Sequence, residues 1–299
     1  MSIHTVRTGL SRLRPLLLLA FLSIGGTLAA SAATMYLHVP FSPFMPLVCL
    51  GTIFGVYALN RYTDLKEDFA NDSYTSVFFA QRRGLLHLVW GVLGAVVVFL
   101  ALTERLGVYV MVLLLVGVFY SCKVVPWYRP TTGFGFIRLK EIPLMKNVLV
   151  AGFWGASIFA VPLVLSQHQP ASAELIGAGV LATAMMLSTL NNTLFCDLLD
   201  VEGDRMVGNR TLPVLIGRTA TLRIAAGYNL AWAATVILLA AYHVLDTAHI
   251  ALLVVLAVYP LAYFIPYRRG WMRRQVLEFV CEGDLLMFAV GTAVVAFWG

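Results

Sequence analysis

Long apolar runs separated by short polar connections fill the chain from end to end. Residues 15–34, 44–60, 85–103, 106–122, 143–165, 172–194, 219–242, 248–266 and 279–298 are each almost continuously apolar. About 17 to 25 such residues, wound as a helix, cross the roughly 30 Å of hydrocarbon in a bilayer. The pattern therefore predicts nine transmembrane helices. The basic residues test that number independently, because Lys and Arg collect in cytoplasmic connections. Arg7, Arg12 and Arg14 precede the first run, and Arg61, Lys66, Arg82 and Arg83 follow the second. Lys123, Arg129, Arg138, Lys140 and Lys146 follow the fourth, Arg205, Arg210, Arg218 and Arg223 the sixth, and Arg268, Arg269, Arg273 and Arg274 the eighth. Only Arg105 lies in an opposite connection, so 20 of 21 basic residues fall on one side. This alternation predicts a cytoplasmic N-terminus and an external C-terminus.

Composition settles the class. Hydrophobic residues make up 60% of the chain and charged residues 12%, far from the usage of soluble domains, and the chain reads as an all-α, polytopic membrane protein. Its formal net charge of +6 is mostly the topological bias itself. No dense basic tract interleaved with aromatics marks a nucleic-acid partner. Three arginines, a leucine run and the small residues 29–33 imitate a cleaved signal peptide, but the segment is long enough to span and loop parity accounts for it as the first helix. Cys49, Cys122, Cys196 and Cys281 have no CxxC spacing and read as free thiols. The six histidines form no HxxxH or HxxE pattern, so zinc is not expected. With no linker or low-complexity run, residues 1–299 read as a single transmembrane domain of the cell's inner (plasma) membrane, with lipids around it.

Two acidic clusters interrupt this apolar chain, Asn60, Asp64 and Asp68 after the second run and Asp197, Asp200 and Asp204 after the sixth. Asp64 and Asp197 lie 133 positions apart, a weak internal echo that fits two four-helix halves of one orientation plus a ninth helix. Steps of i, i+4, i+8 keep the first set on one helix face with about 40° of drift per step, and i, i+3, i+7 places the second within an arc of about 60°. Gly203 and Gly208 are expected to loosen the helix after the second stripe, and Pro213 to prevent its continuation. Carboxylates at membrane depth cost several kcal/mol and usually line a polar cavity or meet opposite charge. Asp and Asn oxygens suit magnesium (Mg2+), which shares itself between one or two carboxylates and substrate phosphates. Two facing stripes would hold two such ions on one diphosphate as a carbon–oxygen bond breaks. Arg138, Lys140 and Lys146 enter the fifth helix from the same side as candidate grips for diphosphate oxygens. Arg268, Arg269, Arg273 and Arg274 are assigned to topology or anionic lipid. Glu282 and Asp284 are read as complementing the dipole of the ninth helix.

These residues resemble the UbiA superfamily of intramembrane prenyltransferases, whose signatures take the form NDxxDxxxD and DxxDxxxD. Nine helices with signatures after the second and sixth are also that family's architecture. Residues 197–217, DLLDVEGDRMVGNRTLPVLIG, look like the corresponding stretch of chlorophyll synthases and archaeal geranylgeranylglyceryl phosphate prenyltransferases. Tyr120, the run Arg138 to Lys140, and Lys146 with Asn147 resemble the family's fourth-to-fifth connection. The resemblance implies a UbiA-type helical bundle in which Asn60, Asp64, Asp68, Asp197, Asp200 and Asp204 hold magnesium-bound diphosphate. Asp64, Asp68, Asp197, Asp200 and Lys140 would then be catalytic, and Asn60, Arg61, Tyr120, Arg138, Lys140 and Lys146 would contact the diphosphate. Three departures stand out. Arg61 occupies the place of the first motif's second residue, usually Asp; an Arg-Pro element after Asp68 is missing, with Arg82 and Arg83 as substitutes; and the stretch KVVPWYRPTTGFGF before RLK is long, fit to form a cap or shape an acceptor site.

The implied activity is magnesium-dependent transfer of a prenyl group from an isoprenyl diphosphate, C10 to C20 or longer, to a small aromatic or lipid-like hydrophobic acceptor at the cytoplasmic face. Aromatics such as Tyr57, Phe153, Trp154, Phe159 and Phe195 are candidates to shield an allylic cation. A terpene cyclase using the same ionisation, a non-catalytic prenyl-lipid binder and a transporter are the competing readings. Carboxylates gathered at one edge, with no broken helix pair expected at the midplane, weigh against transport.

Overall fold

The computed structural model describes residues 9–40, 44–71, 73–103, 107–129, 133–142, 145–165 and 171–298. Helices occupy the predicted apolar runs: α1 (Gly9–Tyr36), α2 (Phe44–Thr63), α5 (Arg83–Thr103), α6 (Gly107–Ser121), α7 (Met145–Leu165), α8 (Ser172–Val207) and α10 (Arg218–Ala241). Short helices α3 (Leu65–Asn71), α4 (Ser73–Gln81) and α9 (Leu212–Ile216) lie in the connections. Among the described residues, six segments are long and apolar enough to cross a membrane: Leu13–Tyr36, Phe44–Thr63, Ser172–Val207, Arg218–Ala241, Thr247–Arg269 and Arg274–Trp298. The chain is an integral, multi-pass helical membrane protein.

Hydroxyls within α1 are satisfied locally, as apolar surroundings require. Ser23, Thr27, Ser31 and Thr34 each donate to the carbonyl four residues earlier, at 2.7 to 2.9 Å. Small residues bring helices close, as is usual where lipid removes the hydrophobic drive between them. A Cβ on Gly155 of α7 would overlap Met186 and crowd the Ala182 carbonyl of α8. Leu22, Ala29, Ala33, Trp154, Ile158, Phe159, Leu181, Met185, Leu253 and Phe288 join these helices in one buried cluster.

Three expectations are corrected. First, α8 does not loosen at Gly203. Its 36 residues, about 54 Å at 1.5 Å each, run on from the apolar run that ends at residue 194, through the acidic stripe, and stop at Gly208, whose φ of 79° is a glycine-favoured left-handed cap. Gly203 instead admits α3: a Cβ there would overlap Asn71 and lie 3.0 Å from the Ala70 backbone. Second, the eighth apolar run is divided into α11 (Thr247–Val258) and α12 (Leu261–Arg269), because Pro260 has no N–H to continue the ladder. Third, the ninth is divided into α13 (Arg274–Glu282) and α14 (Asp284–Trp298) at Gly283, so Glu282 ends a helix and does not begin one. Asp284 does serve the start of α14, accepting from the Leu285 N–H at 2.7 Å. The long stretch before Arg138, for which the sequence predicts no element, is a two-stranded antiparallel hairpin, β1 (Val125–Arg129) and β2 (Gly133–Ile137), pairing Val125 with Ile137 and Tyr128 with Phe134.

Candidate active site

The first cluster sits where α2 gives way to α3. Asp64 donates its N–H to the Asn60 carbonyl at 3.0 Å, which turns its carboxylate toward the 3-10 turn Leu139–Glu141 that follows β2. Arg138 Nη1 donates to Asp64 Oδ1 at 2.9 Å, and Lys140 Nζ donates to the same oxygen. Lys140 also reaches Asn60 Oδ1 at 3.1 Å and lies 5.7 Å from the centre of the Tyr120 ring. Arg138 is oriented in turn by Glu141 at 2.7 Å. The side chain of Asp68 lies outside the described residues.

The second cluster spans two turns of α8. Asp197 is fully buried and accepts from Lys146 Nζ at 2.6 Å and from Asn147 Nδ2 at 2.9 Å, both at the start of α7. Asp200 is paired with Arg274, which also donates to Glu278 at 2.9 Å and to the Leu199 carbonyl at 3.1 Å. Asp204 lies within electrostatic reach of Asp197, Asp200 and Lys146 and makes a further set of contacts. It accepts from Asn71 at 3.4 Å, Asn209 at 3.3 Å and Thr211 at 3.1 Å, tying α3 and the segment after α8 to the helix.

One ten-residue segment, 138–147, thus supplies cationic or amide donors to aspartates of both clusters. Cation and carboxylate neutralise one another where each alone would be costly; removing one partner of such a buried pair typically costs about 3–5 kcal/mol. Among the described residues no group of three or more Asp, Glu, His or Cys side chains converges tightly enough to hold a metal ion unaided. Oxygen donors arranged as one or two carboxylates per ion, with phosphate oxygens completing the shell, are nevertheless what magnesium favours.

Two cavities meet here. An apolar groove is lined by Val56, Asn60, Gly117, Tyr120, Phe153, Trp154 and Ile158, and it ends on the first cluster through Asn60 and Tyr120. A polar chamber is lined by Arg14, Arg61, Asp200, Arg274, Glu278 and Glu282. Tyr57 walls both, its hydroxyl accepting from Trp154 Nε1 at 3.1 Å. Of the aromatic candidates, Tyr57, Phe153 and Trp154 face the groove, whereas Phe159 and Phe195 are buried in packing contacts.

Several sequence assignments change. Arg274 is engaged with Asp200 and is not a lipid-facing topological charge. Glu282 accepts from Asn192 Nδ2 at 3.2 Å inside the chamber that Arg61 also lines, instead of complementing a helix dipole. Arg61 lines that chamber and not the groove end where Lys140 meets Asn60. Arg82 stacks over Phe78 at 4.0 Å and donates to its carbonyl at 3.2 Å, and Arg83 lies 5.9 Å from the Tyr62 ring centre. Asn71, Asn192, Arg274 and Glu282 carried no spacing signal that would have joined them to the clusters.

The profile of the UbiA prenyltransferase family matches residues 18–280. The chain is 33% identical over 90 residues to a digeranylgeranylglyceryl phosphate synthase of Pyrococcus furiosus, covering 30% of each protein. It is 36% identical over 89 residues to that of Halobacterium salinarum, covering 29% of each. These matches span less than a third of the relatives' own length. The structure of a UbiA homologue from Archaeoglobus fulgidus bound to DMAPP and Mg2+ superposes with a TM-score of 0.61 at 17% identity, over 96% of this chain and 99% of that one.

Proposed function

This chain belongs to the UbiA prenyltransferase family, and from that membership and the site geometry we propose that it moves a prenyl group from an allylic isoprenyl diphosphate to a small aromatic or lipid-like acceptor, with magnesium as the activating ion. The observation that carries the reading is the convergence of Arg138, Lys140, Lys146 and Asn147 on Asp64 and Asp197 at the end of an apolar groove. The Archaeoglobus homologue, bound to DMAPP and Mg2+, supports the same ligand chemistry.

Asp64, Asp197 and Asp200, with Asn60 and Asp68, would hold the ions. Magnesium supplies charge neutralisation on the diphosphate as it leaves. Lys140, Lys146 and Arg138 exchange carboxylate partners for diphosphate oxygens, forming charge-assisted bonds that strengthen as negative charge builds on the leaving group. The groove excludes water from the allylic cation, and the faces of Tyr57, Phe153 and Trp154 stabilise it. The polar chamber receives the head of the acceptor across the Tyr57 wall. Asp204 holds the scaffold through Asn71 and Thr211. The lopsided distribution of basic residues supports a site at the cytoplasmic face of the inner membrane.

The test is release of pyrophosphate from farnesyl and geranylgeranyl diphosphates by purified protein in detergent, with and without magnesium, followed by lipid mass spectrometry. Magnesium-dependent release with transfer to an added phenolic or lipid acceptor is expected. A cyclised hydrocarbon would replace transferase by cyclase, and no release at any chain length would overturn the reading. Asp64→Ala and Asp200→Ala are each expected to abolish turnover while leaving membrane insertion intact; full activity in either would remove that residue from the site.

A further inference from the structure

The hairpin between α6 and α7 has two unlike faces. Antiparallel register puts Pro126, Tyr128, Phe134 and Phe136 on one side, since side chains alternate along a strand and paired residues share a face. None of these four is charged, and Tyr128, Phe134 and Phe136 are 58%, 85% and 64% exposed. Tyr128 and Phe134 pack their rings 5.3 Å apart. On the other side Ile137, at the base of the hairpin, is 5% exposed, so the protein body covers that face there, while Trp127 further out on it is 41% exposed. Left in water, a strip of three aromatic rings carries a hydrophobic cost.

The chain itself says what lies beside it. Only Cys122, Lys123 and Val124 separate the apolar helix α6 from β1, a tether of at most about 11 Å at 3.6 Å per residue. The headgroup zone of a bilayer is roughly 5–8 Å deep on each side, from a core of about 30 Å and a total of about 40–45 Å. The base of the hairpin is therefore confined to the neighbourhood of that zone. Exposed Lys123 adds a charge suited to anionic headgroups, and aromatic rings favour the membrane–water interface. We infer that the aromatic face of the β1–β2 hairpin is an interfacial anchor that beds into the lipid headgroup and acyl boundary. Because β2 runs directly into Arg138 and Lys140, the anchor also fixes the position of the two cations that hold Asp64. The inference rests on membrane residence alone and stands whether or not prenyl transfer is confirmed.

Spin labels on the whole protein in phosphatidylcholine–phosphatidylglycerol nanodiscs test it. Phe134→Cys, Gly135→Cys and Phe136→Cys are compared with labelled protein lacking these substitutions, which reports the native cysteines. Phe134 and Phe136 are exposed, and nothing lies within 4 Å of a Cβ at Gly135, so all three sites accept the change. Labels at 134 and 136 are expected to collide more often with oxygen than with a water-soluble nickel chelate, and the label at 135 to lose that preference. Nickel preference at 134 and 136 would overturn the anchor in favour of a solvent-exposed hairpin. Exclusion of both reagents there would overturn it in favour of contact with a second protein chain.

Discussion

Arg61 brings a positive charge where the family motif carries an acid, and the chamber it enters is also lined by Glu282. Glu282 is held there by Asn192 at 3.2 Å. Neither charge is tolerable alone at this depth. Arg61→Gln and Glu282→Gln are each expected to lower resistance to unfolding in detergent, and the double variant to lose less than the sum of the two. The coupling should be about 0.5–3 kcal/mol, the range for residues that interact directly. Strict additivity would show that the two charges are balanced by other groups. The pair was invisible in the sequence because its members are 221 positions apart and no periodicity links a residue in α2 with one in α13. Asp64 and Asp197 were legible for the opposite reason: helical spacing within one segment declares a shared face, and a carboxylate among apolar residues needs a purpose. Arg274 shows how a sufficient explanation hides a better one, since the loop bias already accounted for an arginine there while the fold was turning it onto Asp200.

At the scale of elements, apolar length predicted where helices lie, but their ends and breaks were set by contacts that length does not encode. Helix α8 continues three turns beyond its apolar run because Asp197, Asp200 and Asp204 each find donors on other elements. Gly203 is the point at which α3 touches it. Gly203→Ala is expected to push Asn71 away from Asp204, lowering both thermal stability and turnover, with Asn71→Ala reproducing the weaker part of the effect. A variant with unchanged melting would show that α3 shifts freely. The hairpin escaped an all-helical reading because five-residue strands rich in Gly and aromatics look like an irregular loop until paired. At the opposite end from the clusters, Asp246 precedes α11, accepting from the His249 N–H at 2.9 Å and contacting its ring at 2.6 Å, while Tyr36 of α1 meets the other ring nitrogen at 3.0 Å. Burial raises the Asp246 pKa, but the backbone and ring hydrogen bonds from His249 outweigh it and leave the carboxyl below its usual value. A depressed acid stabilises the fold fully above its unfolded pKa of about 3.9 and loses that contribution as pH falls through the lower folded value. Asp246→Asn should therefore be less stable than the parent at neutral pH, with the difference closing below about pH 4. A pH-independent difference would assign the loss to packing.

For the molecule as a whole, the arrangement separates two environments that the proposed reaction needs and joins them at one residue. The groove is apolar where a carbocation must be kept from water, and the chamber is charged where an acceptor must be oriented. Tyr57 stands between them with its hydroxyl fixed by Trp154. A wall of this kind has a consequence that a merely structural tyrosine would not have: removing it should leave ionisation intact and change what captures the cation. Water from the polar chamber would then reach the reacting carbon, because a cation that is no longer shielded takes the nearest nucleophile. In Tyr57→Ala, pyrophosphate release is expected to persist while the product shifts from transferred prenyl group to prenyl alcohol. Trp154→Phe, which keeps a ring and deletes the N–H, should show a smaller shift in the same direction. The measurement is the ratio of alcohol to transferred product per pyrophosphate released. If release and transfer fall together at constant ratio, Tyr57 acts before the carbon–oxygen bond breaks, and the division of the site lies at another residue.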